Sequence, residues 1–318
     1  MLEVKNLQVG FEEAGKITWA VKNSSFSVSA GEILGIVGES GSGKSMTAMA
    51  IMGLWPADAI VRGQLYFQGR KIDFAQHKAW QELRGVMMGM VFQDPTSTLN
   101  PLYPVGQTVA EALCYHKKIP LEEAKRKALK LFTSLGILPA ATRAQQYPHQ
   151  LSGGLKQRVA LAAAICCKPS LLIADEPTTA LDVTVQAQIL NLLTAYVREE
   201  NSALLLISHD LGVIAQTADR VLVMCRGVIV EEAPVIKLFK HPLHPYTQLL
   251  MNSLPRLDRS VLHNVEKNET AAGSVGCVFA GRCQYCREFC LLEEPALKTI
   301  TENRKVCCHF PLTKGRSS

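Results

Sequence analysis

The octapeptide Gly38-Glu39-Ser40-Gly41-Ser42-Gly43-Lys44-Ser45 constrains this chain more than any other stretch. A short β-rich run, Gly31 to Gly38, leads into it, and small or apolar residues of helix-forming character follow from Lys44 to Gly53. Strand, glycine loop and helix in that order place backbone amides and a helix N-terminus around an anion. Gly38, Gly41 and Gly43 let the main chain approach phosphates without a side chain intervening, and Ser40 belongs to the same cradle. Lys44 is then expected to reach the β- and γ-phosphates of a nucleotide, and the Ser45 hydroxyl to ligate magnesium.

Two further segments give the loop a context. Asp175 and Glu176 follow the apolar run Leu171-Leu172-Ile173-Ala174, which puts two carboxylates at the end of a buried strand, where α/β sheets bind ligands. Asp175 is expected to hold magnesium, and Glu176 to polarise an attacking water as general base. Between loop and carboxylates lies Leu151-Ser152-Gly153-Gly154-Leu155-Lys156-Gln157. Ser152 and Gly154 there precede a helical run and form a second anion site.

Loop, LSGG and Asp-Glu in this order resemble the ATP-binding subunit of an ABC transporter. The resemblance implies a P-loop α/β fold with a mostly parallel core sheet and a helical subdomain. It assigns Gln93, in Val91-Phe92-Gln93-Asp94-Pro95, to the loop that contacts magnesium or water and senses a membrane subunit. His209, in Ile207-Ser208-His209-Asp210, matches the switch histidine that contacts the γ-phosphate, and Asp182 lies in a loop that touches the opposite subunit. Phe11 occupies the family's place for adenine stacking, with Trp19 as competitor. In this family the LSGG of one subunit closes on ATP held by the other, so the resemblance implies an ATP-sandwich dimer.

The rest of the chain fits that frame. Its 318 residues suffice for one large α/β domain and an appendage. A charged fraction of 19% and a hydrophobic fraction of 47% exclude a disordered or collagen-like chain. The helical stretch Leu121 to Leu135 carries apolar residues on one stripe and basic residues, including Lys125, Arg126, Lys127 and Lys130, on the other. It belongs to a helical insertion covering about 95–155. Strands at 171–174, 204–208 and 220–224, with a helix over about Val185 to Glu199, suit a parallel sheet covered on both faces. The first residues lack the pattern of a signal peptide, and no apolar run reaches the roughly 20 residues of a membrane span. The chain is therefore expected at the cytoplasmic face of the membrane, held there by partners. The net charge of +6 is spread along the chain, so nucleic acid is not an expected partner.

A composition shift places a boundary near residue 240, dividing an ATPase domain over 1–240 from a C-terminal region over 241–318. A polar stretch near 258–273 reads as a linker. Cys114, Cys166, Cys167 and Cys225 sit in apolar or helical contexts, as buried small hydrophobes would. Six more of the ten cysteines, Cys277, Cys283, Cys286, Cys290, Cys307 and Cys308, fall in the last 42 positions. The segments His244-Pro245-Tyr246-Thr247-Gln248-Leu249-Leu250 and Gly276 to Cys283 resemble one branch, the ATPases of oligopeptide, dipeptide and nickel importers. That branch implies a second related ATPase, two integral membrane permeases and an extracytoplasmic solute-binding protein. It also implies Cys277, Cys283, Cys290 and Cys308 as ligands of a [4Fe-4S] cluster. Residue types alone leave zinc and unliganded thiols open, as they leave Cys286, Cys307 and His309 open as ligands.

The reading is an ATPase that energises a peptide importer, or the same machine moving nickel or another small solute. A soluble ABC ATPase acting on DNA or ribosomes is the alternative from another class. It is disfavoured by the single cassette and the absence of heptads. A simple P-loop kinase leaves LSGG and His209 unexplained.

Overall fold

A computed structural model of the chain describes residues 1–179, 181–253 and 275–312. Its strands are β1 (Leu2–Glu13), β2 (Lys16–Val28), β3 (Ile33–Val37), β4 (Ala59–Phe67), β5 (Arg70–Ile72), β6 (Met88–Val91), β7 (Leu171–Asp175), β8 (Ala203–Ile207), β9 (Arg220–Cys225), β10 (Val228–Pro234), β11 (Lys298–Thr301) and β12 (Arg304–Val306). Eight of them form one sheet in the order β11-β12-β10-β9-β3-β8-β7-β6, and β2-β1-β4-β5 form a second, antiparallel sheet. The run from β9 through β3, β8 and β7 to β6 is parallel, with Ile33 opposite Leu204 and Leu171 opposite Ala203.

These parallel strands are apolar throughout because both faces are covered. Along β3, Ile33 and Val37 enter one apolar core while Leu34 and Ile36 enter another. The same alternation splits Leu172 and Ala174 from Leu171 and Ile173 on β7, and Leu204 and Leu206 from Ala203, Leu205 and Ile207 on β8. The first core takes in Val109, Phe132, Leu161 and Leu193 from helices; the second lies under the antiparallel sheet through Leu2, Val4, Val9 and Leu65 and also takes in the helical Ala48, Ile51 and Trp80. That antiparallel sheet extends the expectation of a single N-terminal strand.

The helices are α1 (Lys44–Met52), α2 (His77–Leu83), α3 (Pro95–Thr98), α4 (Val105–Lys117), α5 (Leu121–Ser134), α6 (Ala140–Ala144), α7 (Gly153–Ile165), α8 (Val183–Glu200), α9 (Leu211–Thr217), α10 (Val235–Lys240), α11 (Pro245–Asn252) and α12 (Glu288–Leu292). From α3 to the start of α7 the chain is helical and inserted between β6 and β7. On α5, Ala124, Ala128 and Phe132 are buried, while Lys125 pairs with Glu122 and Lys127 with Glu123 at the surface. Helix α8 starts two residues before the expected Val185 because the Asp182 carboxylate caps it, accepting from Val185 N–H at 2.9 Å.

Among the described residues beyond 240, Tyr246, Met251 and Phe279 join the first core. Strand β12 pairs with β10, Glu231 opposite Val306, and β11 pairs with β12, so the C-terminal region adds two strands to the main sheet. Glu231, 0% exposed, accepts from the N–H groups of Leu243 and His244 and from Arg304 at 2.9 Å. One fully buried carboxylate thereby ties β10, the start of α11 and β12 together. The expected linker at 258–273 lies outside the described residues. No helix among the described residues is long and apolar enough to cross a membrane.

Candidate functional site: a nucleotide site at the carboxyl ends of the parallel strands

Four adjacent parallel strands deliver the site. The octapeptide follows β3, Glu176 follows Asp175 at the end of β7, His209 follows β8, and Gln93 follows β6. Sheet order places them side by side at the strand ends, where open α/β sheets bind ligands.

The phosphate loop has the backbone that its glycines allow. Gly41 has φ +77° with empty space where a side chain would start. At Gly43, φ is +101° and a β-carbon would collide with the Ala20 carbonyl oxygen. Glycine is required at both for different reasons, handedness at the first and also close approach at the second. Gly43 passes directly into α1. Lys44 Nζ donates to the carbonyl oxygens of Gly38 (2.8 Å) and Glu39 (2.9 Å). Burial pushes the Lys44 ammonium below its ordinary pKa, and the charges of Glu176, Asp175 and Glu39 oppose that push.

Ser45 Oγ donates to Asp175 Oδ1 at 3.1 Å. Burial raises the Asp175 carboxyl, the Ser45 hydroxyl lowers it, and the Glu176 charge raises it further. A hydroxyl and a carboxylate in contact beside a second carboxylate are the oxygen donors that magnesium takes, and a positive ion there would relieve the charge crowding. The residues present therefore fit Mg²⁺, which Ser45 and Asp175 would hold; Gln93 reaches the neighbouring Glu176.

Glu176 is the most constrained residue of the site. Its φ of +47° is left-handed, a conformation that costs a non-glycine residue about 1 kcal/mol or more. Its N–H donates to the Ile207 carbonyl at 2.9 Å, which holds that geometry. The carboxylate is gripped at both oxygens: Gln93 Nε2 donates to Oε2 at 3.1 Å, Thr179 Oγ1 to Oε2 at 3.0 Å, and His209 Nδ1 lies 3.1 Å from Oε1. The Glu176 side chain is 15% exposed and the His209 side chain 59%, so the carboxylate is sheltered while the imidazole faces open space. In this structure His209 is thus a partner of Glu176. Thr179 had no role in the sequence reading; a hydroxyl three residues after a carboxylate is too common a pattern to single out.

Ser152 caps α7 and accepts from Leu155 N–H at a long 3.4 Å. Gly153 and Gly154 open that helix, Gly154 so close to Val185 of α8 that a β-carbon would overlap it. Phe11 is half-buried on β1, opposite Thr18 and Ala59. Trp19 sits one residue before Ala20, with the Arg62 guanidinium 5.4 Å from its ring centre.

The C-terminal cysteines depart from expectation. Cys277, Cys283, Cys290 and Cys308 do line one cavity, with Pro245, Phe279 and Phe310. Among the described residues no group of three or more His, Cys, Asp or Glu side chains is arranged to hold a metal ion. The [4Fe-4S] and zinc expectations therefore gain no support from the described residues. Burial pushes the Cys277, Cys283 and Cys308 thiols up, Cys283 to about 12 and Cys308 to about 11. Cys286 and Cys307 are likewise free thiols, Cys307 buried and donating to the Pro295 carbonyl. Cys167 and Cys225 are buried as expected, whereas Cys114 and Cys166 are only half-buried.

Comparisons with known proteins agree with this geometry. The family described as "ABC transporter" matches residues 21–179, and the one described as "Oligopeptide/dipeptide transporter, C-terminal region" matches 230–290. The chain is 42% identical over 318 residues to the dipeptide transport ATP-binding protein DppD of Escherichia coli K12, covering 98% of this chain and 97% of that one. It is 41% identical over 325 residues to the oligopeptide transport ATP-binding protein AppD of Bacillus subtilis 168, covering 99% and 98%. Among solved structures, the ATP-binding cassette MJ0796, in a dimeric post-hydrolysis state bound to ADP and Pi, superposes with a TM-score of 0.67. It is 28% identical and covers 74% of this chain and 99% of that one. The chain belongs to the ATP-binding subunits of ABC transporters, in the branch that carries the oligopeptide/dipeptide C-terminal region, and it is an ATPase.

Proposed function

We propose that this chain hydrolyses ATP to energise the import of dipeptides or oligopeptides, working as an ATP-sandwich dimer with a related ATPase against two integral membrane permeases. An extracytoplasmic solute-binding protein supplies the peptide. The observation that carries the catalytic half is the two-sided grip on Glu176 beside Lys44 and Asp175. The peptide half rests on the full-length similarity to DppD and AppD, both named for peptide transport.

In this reading the Glu176 carboxylate accepts a proton from the attacking water, and Gln93 and His209 fix which way its oxygens point. Lys44 neutralises the β- and γ-phosphates, and the loop amides hold them in line. Ser45, Asp175 and Gln93 would hold magnesium, which would supply charge neutralisation at the phosphate oxygens. Phe11 is assigned to adenine, since the Trp19 ring already faces Arg62. Ser152, Gly154 and Asp182 act on the nucleotide and surface of the opposing subunit. Residues 1–240 form the nucleotide-binding unit and 241–318 its C-terminal region, placed at the cytoplasmic face of the membrane by the permeases.

A cleft of about 250 Å³ supports a membrane partner. Met88, Met90, Phe92, Leu99 and Ala160 line it, between edge strand β6 and α7 and one residue from Gln93. A short helix of a permease seated there would press on the residue that orients Glu176. Capture of the tagged chain from detergent-solubilised membranes tests the assignment. Co-purification of two permeases and a second ATPase, with ATPase activity stimulated by peptide-loaded binding protein, is the expected result. Recovery of ribosomes or nucleic acid alone would overturn it.

A further inference from the structure

Glu39 belongs to the phosphate loop, yet two residues of the C-terminal region hold it. Its backbone N–H donates to the Tyr246 hydroxyl at 2.9 Å, a bond spanning 207 positions. Its carboxylate accepts both Nη atoms of Arg282, each at 2.7 Å, across 243 positions. Arg282 also lies over the Phe279 ring at 5.8 Å, and Phe279 is tilted against Tyr246 at 5.3 Å, so arginine and tyrosine form one packed unit. Tyr246 is 0% exposed, and its hydroxyl is pushed above its ordinary range by burial. On the loop side, the Glu39 carbonyl accepts from Lys44 Nζ at 2.9 Å and from Ser42 N–H at 3.2 Å. A hydrogen-bonded path therefore runs from Tyr246 through Glu39 to the lysine that meets the phosphates.

We propose that Tyr246 and Arg282 are positioning residues for the nucleotide, setting the phosphate loop through Glu39 so that affinity depends on the docked C-terminal region. Two physical effects act in the same direction. A loop that presents several amides to one anion binds in proportion to the time it spends in the competent shape, and two anchors raise that fraction. Glu39 also carries a negative charge into a site that receives polyanionic phosphate, and the bidentate guanidinium neutralises it. The proposal goes beyond transport and rests only on nucleotide binding by the loop.

Calorimetric titration of the full chain with MgADP tests it, with Lys44→Ala marking outright loss of the site. Arg282→Gln is expected to weaken MgADP about three- to ten-fold, and Arg282→Lys and Tyr246→Phe less, as loss of one or two such bonds implies. In steady-state hydrolysis the effect falls on KM for ATP rather than on kcat. Because Arg282 acts through the Glu39 charge, Glu39→Gln with Arg282→Gln binds no more weakly than Arg282→Gln alone. Parental MgADP affinity in Arg282→Gln, Arg282→Lys and Tyr246→Phe, even with lowered thermal midpoints, would make these contacts mere anchors of the tail and overturn the proposal. Full additivity in the double variant would overturn the route through Glu39.

Discussion

His209 Nδ1 lies 3.1 Å from Oε1 of Glu176, on the opposite side of the carboxylate from Gln93, so three neighbouring strand ends meet at one side chain. A left-handed Glu176 with both oxygens engaged is preorganised.

Removing one of those contacts should misorient the base without removing it. His209→Ala is expected to lower kcat by about 10²-fold with little change in ATP affinity, because a misplacement of about 1 Å near the chemistry has that effect. Single-turnover hydrolysis and MgATP binding measured on the same variant separate the two.

Ser152 offers a different separation, between folding and assembly. Its bond to Leu155 N–H is long, so Ser152→Ala should cost about 0.5–1 kcal/mol of stability. Its hydroxyl is assigned to the nucleotide of the opposing subunit, so hydrolysis should fall far more than stability does, with MgADP binding to the isolated chain intact. Denaturant unfolding and turnover of the complex, side by side, check this.

How much of this was legible beforehand differs between parts of the molecule. Strand, glycine loop and α1 could be read directly, because glycine handedness and helix initiation are local. Asp175 and Glu176 could be read because four apolar residues placed them at a strand end. The grip of Arg282 and Tyr246 on Glu39 could not, since it joins residues 243 and 207 positions apart and nothing local to either end marks it. Strand β11 escaped for another reason. All four of its residues are exposed, so it has no buried alternation to betray it. The cysteine spacing announced a cluster of thiols, which the fold does gather around one cavity, but residue types alone do not say what that cavity holds.

The junction of the C-terminal region with the sheet makes a stability prediction. Arg304→Met leaves the fully buried Glu231 charge without its cation and should destabilise the chain by about 3 kcal/mol or more. Adding Glu231→Gln should recover part of that loss. Thermal unfolding of the two variants and the parent gives the comparison.

The most direct test of the whole account is Glu176→Gln, assayed for MgATP binding, assembly state and hydrolysis in the same preparation. The account predicts that the variant binds MgATP, remains closed as a dimer, and hydrolyses ATP about 10²-fold or more slower than the parent. Hydrolysis at the parental rate would contradict it.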